Sequence, residues 1–156
     1  TEQLSAVLEK ILPAHLNIVS LPSTNLFLQG RNDLCKVRRG IVPVKELMAR
    51  DFSVAFASDN VRDAFNPFSN ANLLQIAHLA AHGCHMGGTE ELETVFDMVT
   101  SVPREMMGLS QEIAPGCRAD LVLLPASSAA QAIIEQVGIL ERIFRGAPDG
   151  RWSQAK

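Results

Sequence analysis

Three acidic or amide side chains follow the apolar stretch SVAFAS within five residues: Asp59, Asn60 and Asp63. The stretch has the composition of a buried strand, so Asp59 comes where that strand should end. A strand-end carboxylate is usually a turn residue, because its oxygens accept hydrogen bonds from nearby backbone N–H groups. A carboxylate at the mouth of a barrel can also bind a metal. Position alone leaves both interpretations open.

A second group of reactive side chains lies in HLAAHGCH, where His78, His82 and His85 recur at i, i+4 and i+7. On a helix this spacing places all three on one stripe, where a metal could bind. No acidic residue lies among them, unlike the HExxH metal motif, and the surrounding helix is rich in leucine. We therefore interpret these histidines as a structural or surface stripe.

The composition narrows the class of protein. The 156 residues carry a net charge of −3 with both signs mixed, which gives no basic surface for nucleic acid. The basic cluster KVRRG (36–40) is interpreted as a solvated loop. Three widely spaced cysteines without a CxxC pair argue against a disulfide framework and favour a reducing, cytoplasmic location. No apolar run approaches the ~20 residues that a membrane span needs.

The hydrophobic pattern predicts alternating helices and strands in the first half of the chain. Helices are predicted over 2–12, from Pro43 onward and over 71–86, and buried strands over 17–21 and 52–57, with loops at 22–40 and 58–70. Continuous apolar strands that alternate with helices favour parallel βα units.

The second half has a different pattern. Two helices are predicted over 89–109, with Thr89 as the N-cap and a break at Pro103, followed by β-strands within 114–125 and 138–146 and a frayed tail at 151–156. Two βα units are too few to bury a sheet on both faces, and a whole (β/α)8 barrel takes about 250 residues. The chain also opens directly on a helix without a methionine. We therefore expect a fragment of a larger barrel.

Four segments, in this order, resemble the last third of the cytosine deaminase-like branch of the metal-dependent amidohydrolase superfamily: STNLFLQGR, RRGIVPVKELM, VAFASDNVRDAFNPFSNANLLQ and GCRADLVLLP. The resemblance extends from about residue 4 to residue 146. It implies an α/β fold made of the C-terminal βα units of a (β/α)8 TIM-like barrel plus strands of a small β-sandwich. We assign the partial barrel to 1–110 and the sandwich strands and tail to 111–156.

The resemblance also implies roles for individual residues. Asp59 matches the aspartate at the end of the eighth barrel strand, which binds the catalytic metal and shuttles a proton. Phe65 matches a position where cytosine deaminases place a tryptophan against the substrate ring. Asn60 matches a position where the bacterial cytosine deaminases carry a second aspartate. The tripeptide SDN is more similar to the corresponding sequence of relatives that act on amino-triazines. Gln29 and Arg31 are either functional residues, Gln29 as a substrate contact, or part of their loop. Asp63 is interpreted as a cap or loop anchor and not as a catalytic group.

Three hypotheses about function remain open. In the first, the chain is the C-terminal portion of a hydrolase that uses one divalent metal, Zn or Fe, to deaminate a cytosine-like amino-heterocycle and release ammonia. In the second, the same fold removes an alkylamine from an amino-triazine. In the third, the chain is a non-catalytic fragment or subunit, because one ligand cannot hold a catalytic zinc, which takes about three from the protein.

Under each hypothesis the chain needs a partner. We expect the missing N-terminal barrel portion, or another copy in a homo-oligomer, to cover the barrel-facing surface, because an open apolar sheet edge favours association. The chain alone is expected to be inactive and to bind no metal. Neither nucleic acid nor a membrane is expected as a partner.

Overall fold

The fold is taken from a computed structural model, which describes residues 2–109 and 112–148. Seven helices and five strands lie in this part of the chain, in the order α1 (Glu2–Ile11), β1 (Ile18–Ser20), α2 (Pro22–Leu28), α3 (Val44–Met48), β2 (Val54–Phe56), α4 (Leu73–Gly83), α5 (Thr89–Asp97), α6 (Ser101–Met106), β3 (Leu121–Leu123), α7 (Ala129–Glu135), β4 (Glu141–Phe144) and β5 (Ala147–Pro148). A short 3-10 turn, Leu12–Ala14, follows α1. The predicted tail at 151–156 falls outside the described residues.

Strands β1 and β2 pair in parallel, with Ile18, Val19 and Ser20 opposite Val54, Ala55 and Phe56. This pairing confirms the parallel arrangement predicted from the two apolar runs. Side chains alternate between the faces of a strand, and Val54 and Phe56 belong to the hydrophobic core on one face. On β1, Val19 is 52% exposed. One face of this sheet therefore packs on the helices, whereas part of the other face is open.

Helices α4, α5 and α7 pack against one another, and α4 also contacts β2. Their contact faces consist of small and branched apolar side chains at helical spacing, which is the pattern that buries one side of a helix. The most deeply buried members of the core are Val44, Phe56, Ile76, Ala77, Ala80, Val95, Ala132 and Ile133. This core packs against β2, and the loop that follows β2 begins at Ala57.

The second sheet is antiparallel and joins β3, β4 and β5 in that order. Leu121, Val122 and Leu123 pair with Ile143, Arg142 and Glu141, and β4 continues through a tight turn into β5. Gly146 lies in that turn with φ +79°, a backbone conformation that other residues rarely adopt. Val122 and Leu123 are each 55% exposed. The assignment of these strands to a small β-sandwich remains a prediction.

The prediction of a single loop over 22–40 is wrong in its first part, because Pro22–Leu28 forms helix α2. Pro22 occupies the first helical turn, where a missing N–H costs nothing and the fixed φ favours a helix. Ser, Thr and Asn in PSTNLFL have low helix propensity, so the sequence pattern did not indicate a helix here. The contacts made by Pro22 and Thr24, both buried, outweigh that propensity.

In the second half, two further predictions need correction and one helix was missed. Pro103 does not break the two helices: α5 ends at Asp97, and Pro103 lies in the first turn of α6, where proline is tolerated. The N-cap of α5 is Gly88 and not Thr89. Helix α7 was not predicted, although Ser128 accepts a hydrogen bond from the Gln131 N–H as an ordinary N-cap.

The turn before α5 is held by Glu91. Its carboxylate accepts the Gly87 and Gly88 N–H groups, both at 2.9 Å, and Lys45 Nζ at 2.6 Å. Lys45 also donates to the His85 carbonyl at 2.7 Å, so α3 is tied to the α4–α5 turn. The bonds from Lys45 and from the two glycines lower the pKa of Glu91 to about 2.

We expect Glu91→Gln to lower the melting temperature at neutral pH but not near pH 2. The pKa of Glu91 is depressed on folding, so its ionised form stabilises the fold above the unfolded-state value of about 4.3. That contribution is lost as the pH falls toward 2. Melting curves between pH 2 and 7 measure it, with Glu93→Gln on the same helix as control. A constant difference across this pH range would contradict the role of the ionised carboxylate.

No helix in the described ranges 2–109 and 112–148 has both the length and the apolar character needed to cross a bilayer.

Candidate functional site

The carboxyl ends of β1 and β2 lie at the same edge of the sheet. Directly after the paired residues of β2, the Ala57 N–H donates to the Ser20 carbonyl at 3.0 Å, so the chain segments that leave the two strands start side by side. From β1 the chain enters α2 almost at once, whereas from β2 it forms a long loop before α4. In parallel α/β folds, active sites lie at this edge, because the loops after the strands converge there.

Asp59 is the third residue of the loop after β2. Its side chain is exposed, and its φ is 59°, in the left-handed region. Aspartate tolerates this conformation better than most residues, but it remains uncommon outside glycine. Such conformations occur often at functional sites, where the surrounding structure holds them. The structure therefore presents the Asp59 carboxylate to solvent, at the strand end where the sequence placed it.

The loop between Asp59 and Phe68 is organised around Asp63. Asp63 Oδ1 accepts the Phe65 and Asn66 N–H groups, both at 2.9 Å, and Oδ2 accepts Asn60 Nδ2 at 2.6 Å. The Asn66 N–H, with the Asn60 amide and the Phe65 N–H, holds the pKa of Asp63 below its usual range. The prediction that Asp63 is a loop anchor is confirmed by these bonds.

Asn66 fastens this loop to α2. Its side chain is fully buried, and Nδ2 donates to Ser23 Oγ at 2.8 Å and to Thr24 Oγ1 at 3.3 Å. Thr24 Oγ1 in turn lies 3.4 Å from the Ser58 carbonyl, directly before Asp59. The first turn of α2 therefore contacts both ends of the segment that carries Asp59 and Phe65.

We expect Asn66→Ala to lower the free energy of unfolding by about 1–3 kcal/mol, because it leaves the buried Thr24 hydroxyl and the half-buried Ser23 hydroxyl without their donor. Ser20→Ala is the control. Ser20 Oγ is buried and has no hydrogen-bond partner among the residues that the structure describes, so its loss should change the free energy by less than about 0.5 kcal/mol. Urea unfolding of both variants measures the difference. Equal effects would show that Asn66 does not anchor the loop.

Aromatic rings border the same loop. Phe65 and Phe68 are 59% and 71% exposed. Phe68 packs edge-on against Phe27 of α2, with ring centroids 5.4 Å apart, and the Arg31 guanidinium lies 4.8 Å from the Phe27 centroid. Exposed rings beside a strand-end carboxylate can stack on a flat ligand.

Gln29 is the C-cap residue of α2, and its side chain lies against Gly40. A Cβ at Gly40 would come within 1.4 Å of Gln29 Oε1, so a larger residue at position 40 would displace the end of the Gln29 side chain. Close by, Asp33 forms two side-chain bonds to Arg38, at 2.8 and 2.9 Å. The Gln29 side chain therefore contacts this loop, and its role as a substrate contact stays a prediction.

The histidines do not form the stripe that their spacing predicts. Helix α4 ends at Gly83, and His85 lies beyond it with φ 55°. The His78 and His82 rings are neighbours, 4.5 Å apart. Each Nδ1 contacts a backbone carbonyl: that of Ile133 at 3.1 Å for His78 and that of His78 itself at 2.8 Å for His82. His78 therefore links α4 to α7.

Across residues 2–109 and 112–148, no three His, Cys, Asp or Glu side chains lie close enough together to hold a metal ion. Asp59 is a suitable single ligand, because its carboxylate is exposed at a strand end. The described part of the chain does not complete a coordination sphere around it.

Few features of the sequence indicate which residues support Asp59. Ser23, Thr24 and Asn66 are polar side chains in segments predicted to be loops, where such residues are common. The burial of Thr24 and Asn66 depends on α2 packing against the loop after β2. The dipeptide Asn66-Pro67 marks a turn, and that was the one available signal.

A family model described as "Amidohydrolase family" matches residues 1–146. Two curated relatives are similar in sequence. A pterin deaminase from Rhizobium rhizogenes is 33% identical over 125 residues, which are 78% of this chain and 28% of the relative. An N-isopropylammelide isopropyl amidohydrolase from a Pseudomonas species is 32% identical over 97 residues, which are 61% of this chain and 24% of the relative.

Among solved structures, the fold is similar to that of 5-methylcytosine deaminase from Klebsiella pneumoniae in complex with 5-fluorocytosine. The TM-score is 0.84 and the sequence identity is 30%. The match covers 97% of this chain but 38% of the deaminase. This chain therefore spans between about a quarter and two fifths of the proteins that it matches.

Proposed function

The chain belongs to the amidohydrolase family, and from this premise we propose that it is the C-terminal portion of a hydrolase that deaminates a cytosine-like amino-heterocycle. We call the whole protein that contains it the complete hydrolase. One observation carries the proposal: Asp59 stands exposed and in a left-handed conformation at the carboxyl end of β2. Amidohydrolase-superfamily neighbours imply a TIM-barrel-type fold, and this chain has the mixed α/β structure of such a fold.

In the proposed reaction, water adds to the ring carbon that bears the amino group. Asp59 accepts a proton from that water and then delivers a proton to the amino nitrogen. The new C–O bond forms, the adjacent ring nitrogen ends with the second proton of the water, the C–N bond breaks, and ammonia leaves while the ring keeps a carbonyl. An exposed carboxylate on a braced loop suits both transfers, because it can reach the water and the departing nitrogen in turn.

A divalent metal, Zn or Fe, would lower the pKa of the attacking water toward about 7 when bound. We propose Asp59 as one ligand of that metal. A catalytic zinc takes about three protein ligands, and residues 2–109 and 112–148 bring no such group together, so we propose that the others come from the rest of the complete hydrolase. The open face of β1, where Val19 is 52% exposed, is where the remaining barrel strands would pack.

We propose that Phe65 forms one wall of the pocket and that Asn60 contacts the edge of the heterocycle. Phe65 is exposed and its backbone N–H is fixed by Asp63, so the ring projects from a supported loop. Gln29 remains a candidate substrate contact, although its packing on Gly40 favours a role in the loop. We expect a cytoplasmic location, as in the sequence analysis.

The test is hydrolysis by the complete hydrolase of a panel containing cytosine, 5-methylcytosine, pterin and N-isopropylammelide. We expect ammonia from at least one of the first three, measured by a coupled assay with mass spectrometry of the product. Release of isopropylamine alone would overturn the deaminase assignment.

Release of isopropylamine alone would support the second candidate function, which is removal of an alkylamine from an amino-triazine. Asn60 directly after Asp59 supports it, together with the 32% identity to the isopropyl amidohydrolase. The third candidate, a non-catalytic subunit, is favoured if neither amine appears.

A further inference from the structure

The carboxylate of Asp63 determines which way the side-chain amide of Asn60 is turned. Asn60 Nδ2 donates to Asp63 Oδ2 at 2.6 Å, a short bond to a charged acceptor. A carboxylate accepts hydrogen bonds and donates none while it is ionised. The amide must therefore turn its nitrogen toward Asp63, and its planar geometry then turns the oxygen away from Asp63.

The ionised state of Asp63 rests on its surroundings. Both carboxylate oxygens are engaged by donors: the Phe65 and Asn66 N–H groups on Oδ1 and the Asn60 amide on Oδ2. These bonds keep the pKa of Asp63 below its usual range, so it carries no proton at neutral pH. The same carboxylate therefore fixes both Asn60 and the backbone of Phe65, the two residues proposed to contact the substrate.

We propose that Asp63 is a positioning residue that determines specificity: it turns the Asn60 amide so that its oxygen, and not its nitrogen, meets the substrate. The inference rests on the proposed function and adds a requirement to it. The preferred heterocycle offers an N–H donor to Asn60, from a protonated ring nitrogen or an exocyclic amine. A ring that offers only an acceptor at that edge is rejected, because it would face another acceptor.

The central variant is Asp63→Asn in the complete hydrolase. The new amide keeps an oxygen for the two backbone N–H groups but presents an NH₂ group to Asn60. Asn60 then rotates to accept from it and turns its own NH₂ group outward. The probe is the compound that the wild type hydrolyses fastest among cytosine, 5-methylcytosine and pterin. Its kcat/KM is compared with that of its derivative methylated at the ring N–H.

In the wild type, kcat/KM for the N–H form should exceed kcat/KM for the methylated derivative by at least about 10-fold. This ratio is the effect expected from one hydrogen bond to a polar group. In Asp63→Asn that preference should disappear. The double variant Asn60→Asp with Asp63→Asn should restore it to within about 3-fold, because the carboxylate at position 60 accepts from the new amide and still turns an oxygen outward. Loss of packing alone would not produce this rescue.

The control is Asp120→Asn. Asp120 Oδ1 accepts the Arg145 N–H at 2.8 Å in the antiparallel sheet, so the same substitution removes a comparable carboxylate outside the site. Its substrate preference should stay at the wild-type value. An unchanged preference in Asp63→Asn, or a double variant that does not restore it, would overturn the proposal.

A second measurement needs no substitution and no turnover. By NMR, the Asn60 side-chain amide protons should exchange with water at least about 10-fold more slowly than those of exposed Asn70, because Asp63 accepts from them. Equal rates would overturn the proposed orientation. If no member of the panel is hydrolysed, the proposed function fails, and the exchange rates still decide the orientation of Asn60.

Discussion

Asp59→Asn in the complete hydrolase is expected to lower kcat by at least about 10³-fold, because the amide can neither take a proton from water nor deliver one to the departing nitrogen. The fold should be unaffected. Asparagine, like aspartate, tolerates the left-handed backbone that position 59 requires. The melting temperature should therefore remain that of the wild type while turnover is lost.

The matched control for this result is Asp51→Asn. Asp51 is also an exposed aspartate with a left-handed backbone, φ 60°, but it precedes β2 at the opposite end of the strand. Steady-state kinetics of both variants separate a chemical role from a conformational one. If Asp59→Asn kept more than a tenth of the wild-type kcat, Asp59 would not be the proton shuttle.

The 156-residue chain alone should release no ammonia from any heterocycle of the panel and should bind no stoichiometric zinc. One carboxylate is too few for a catalytic zinc site, and the described residues bring no group of three potential ligands together. Elemental analysis of the purified chain after zinc addition and dialysis measures this, with circular dichroism to establish that it is folded. The complete hydrolase, treated in the same way, is the positive control.

Tight binding of one zinc per chain would contradict this expectation. The source would then be sought in the histidines of α4 and its exit, through His82→Ala and His85→Ala. The structure argues against them, since His85 has left the helix and His82 Nδ1 contacts the His78 carbonyl.

The parallel sheet and the position of Asp59 were predictable from sequence because they depend on local pattern. Two continuous apolar runs, each followed by polar residues, indicate buried strands and mark their ends. Helix α2 and helix α7 were missed for opposite reasons. In α2, Ser23, Thr24 and Asn25 have weak helix propensity and the helix forms through burial, whereas for α7 the capping signal at Ser128 was present but was not used.

The supports of the site were not predictable in the same way. Asn66 and Thr24 are 42 residues apart in sequence, and nothing in either segment indicates that they meet. The same holds for the contact of Gln29 with Gly40, which depends on the path of the loop between them. Contacts of this kind follow from tertiary packing and not from periodicity, so the sequence predicted Asp59 but not what holds it.

The denatured mass of the polypeptide that carries the ammonia-releasing activity tests the central claim most directly. The chain matches 38% of the 5-methylcytosine deaminase, and its own mass is 17.0 kDa. We predict that the activity resides in a polypeptide of more than twice that mass which contains this sequence, or in a complex of this chain with a second one. Activity in a 17.0 kDa polypeptide free of any other chain would contradict the account.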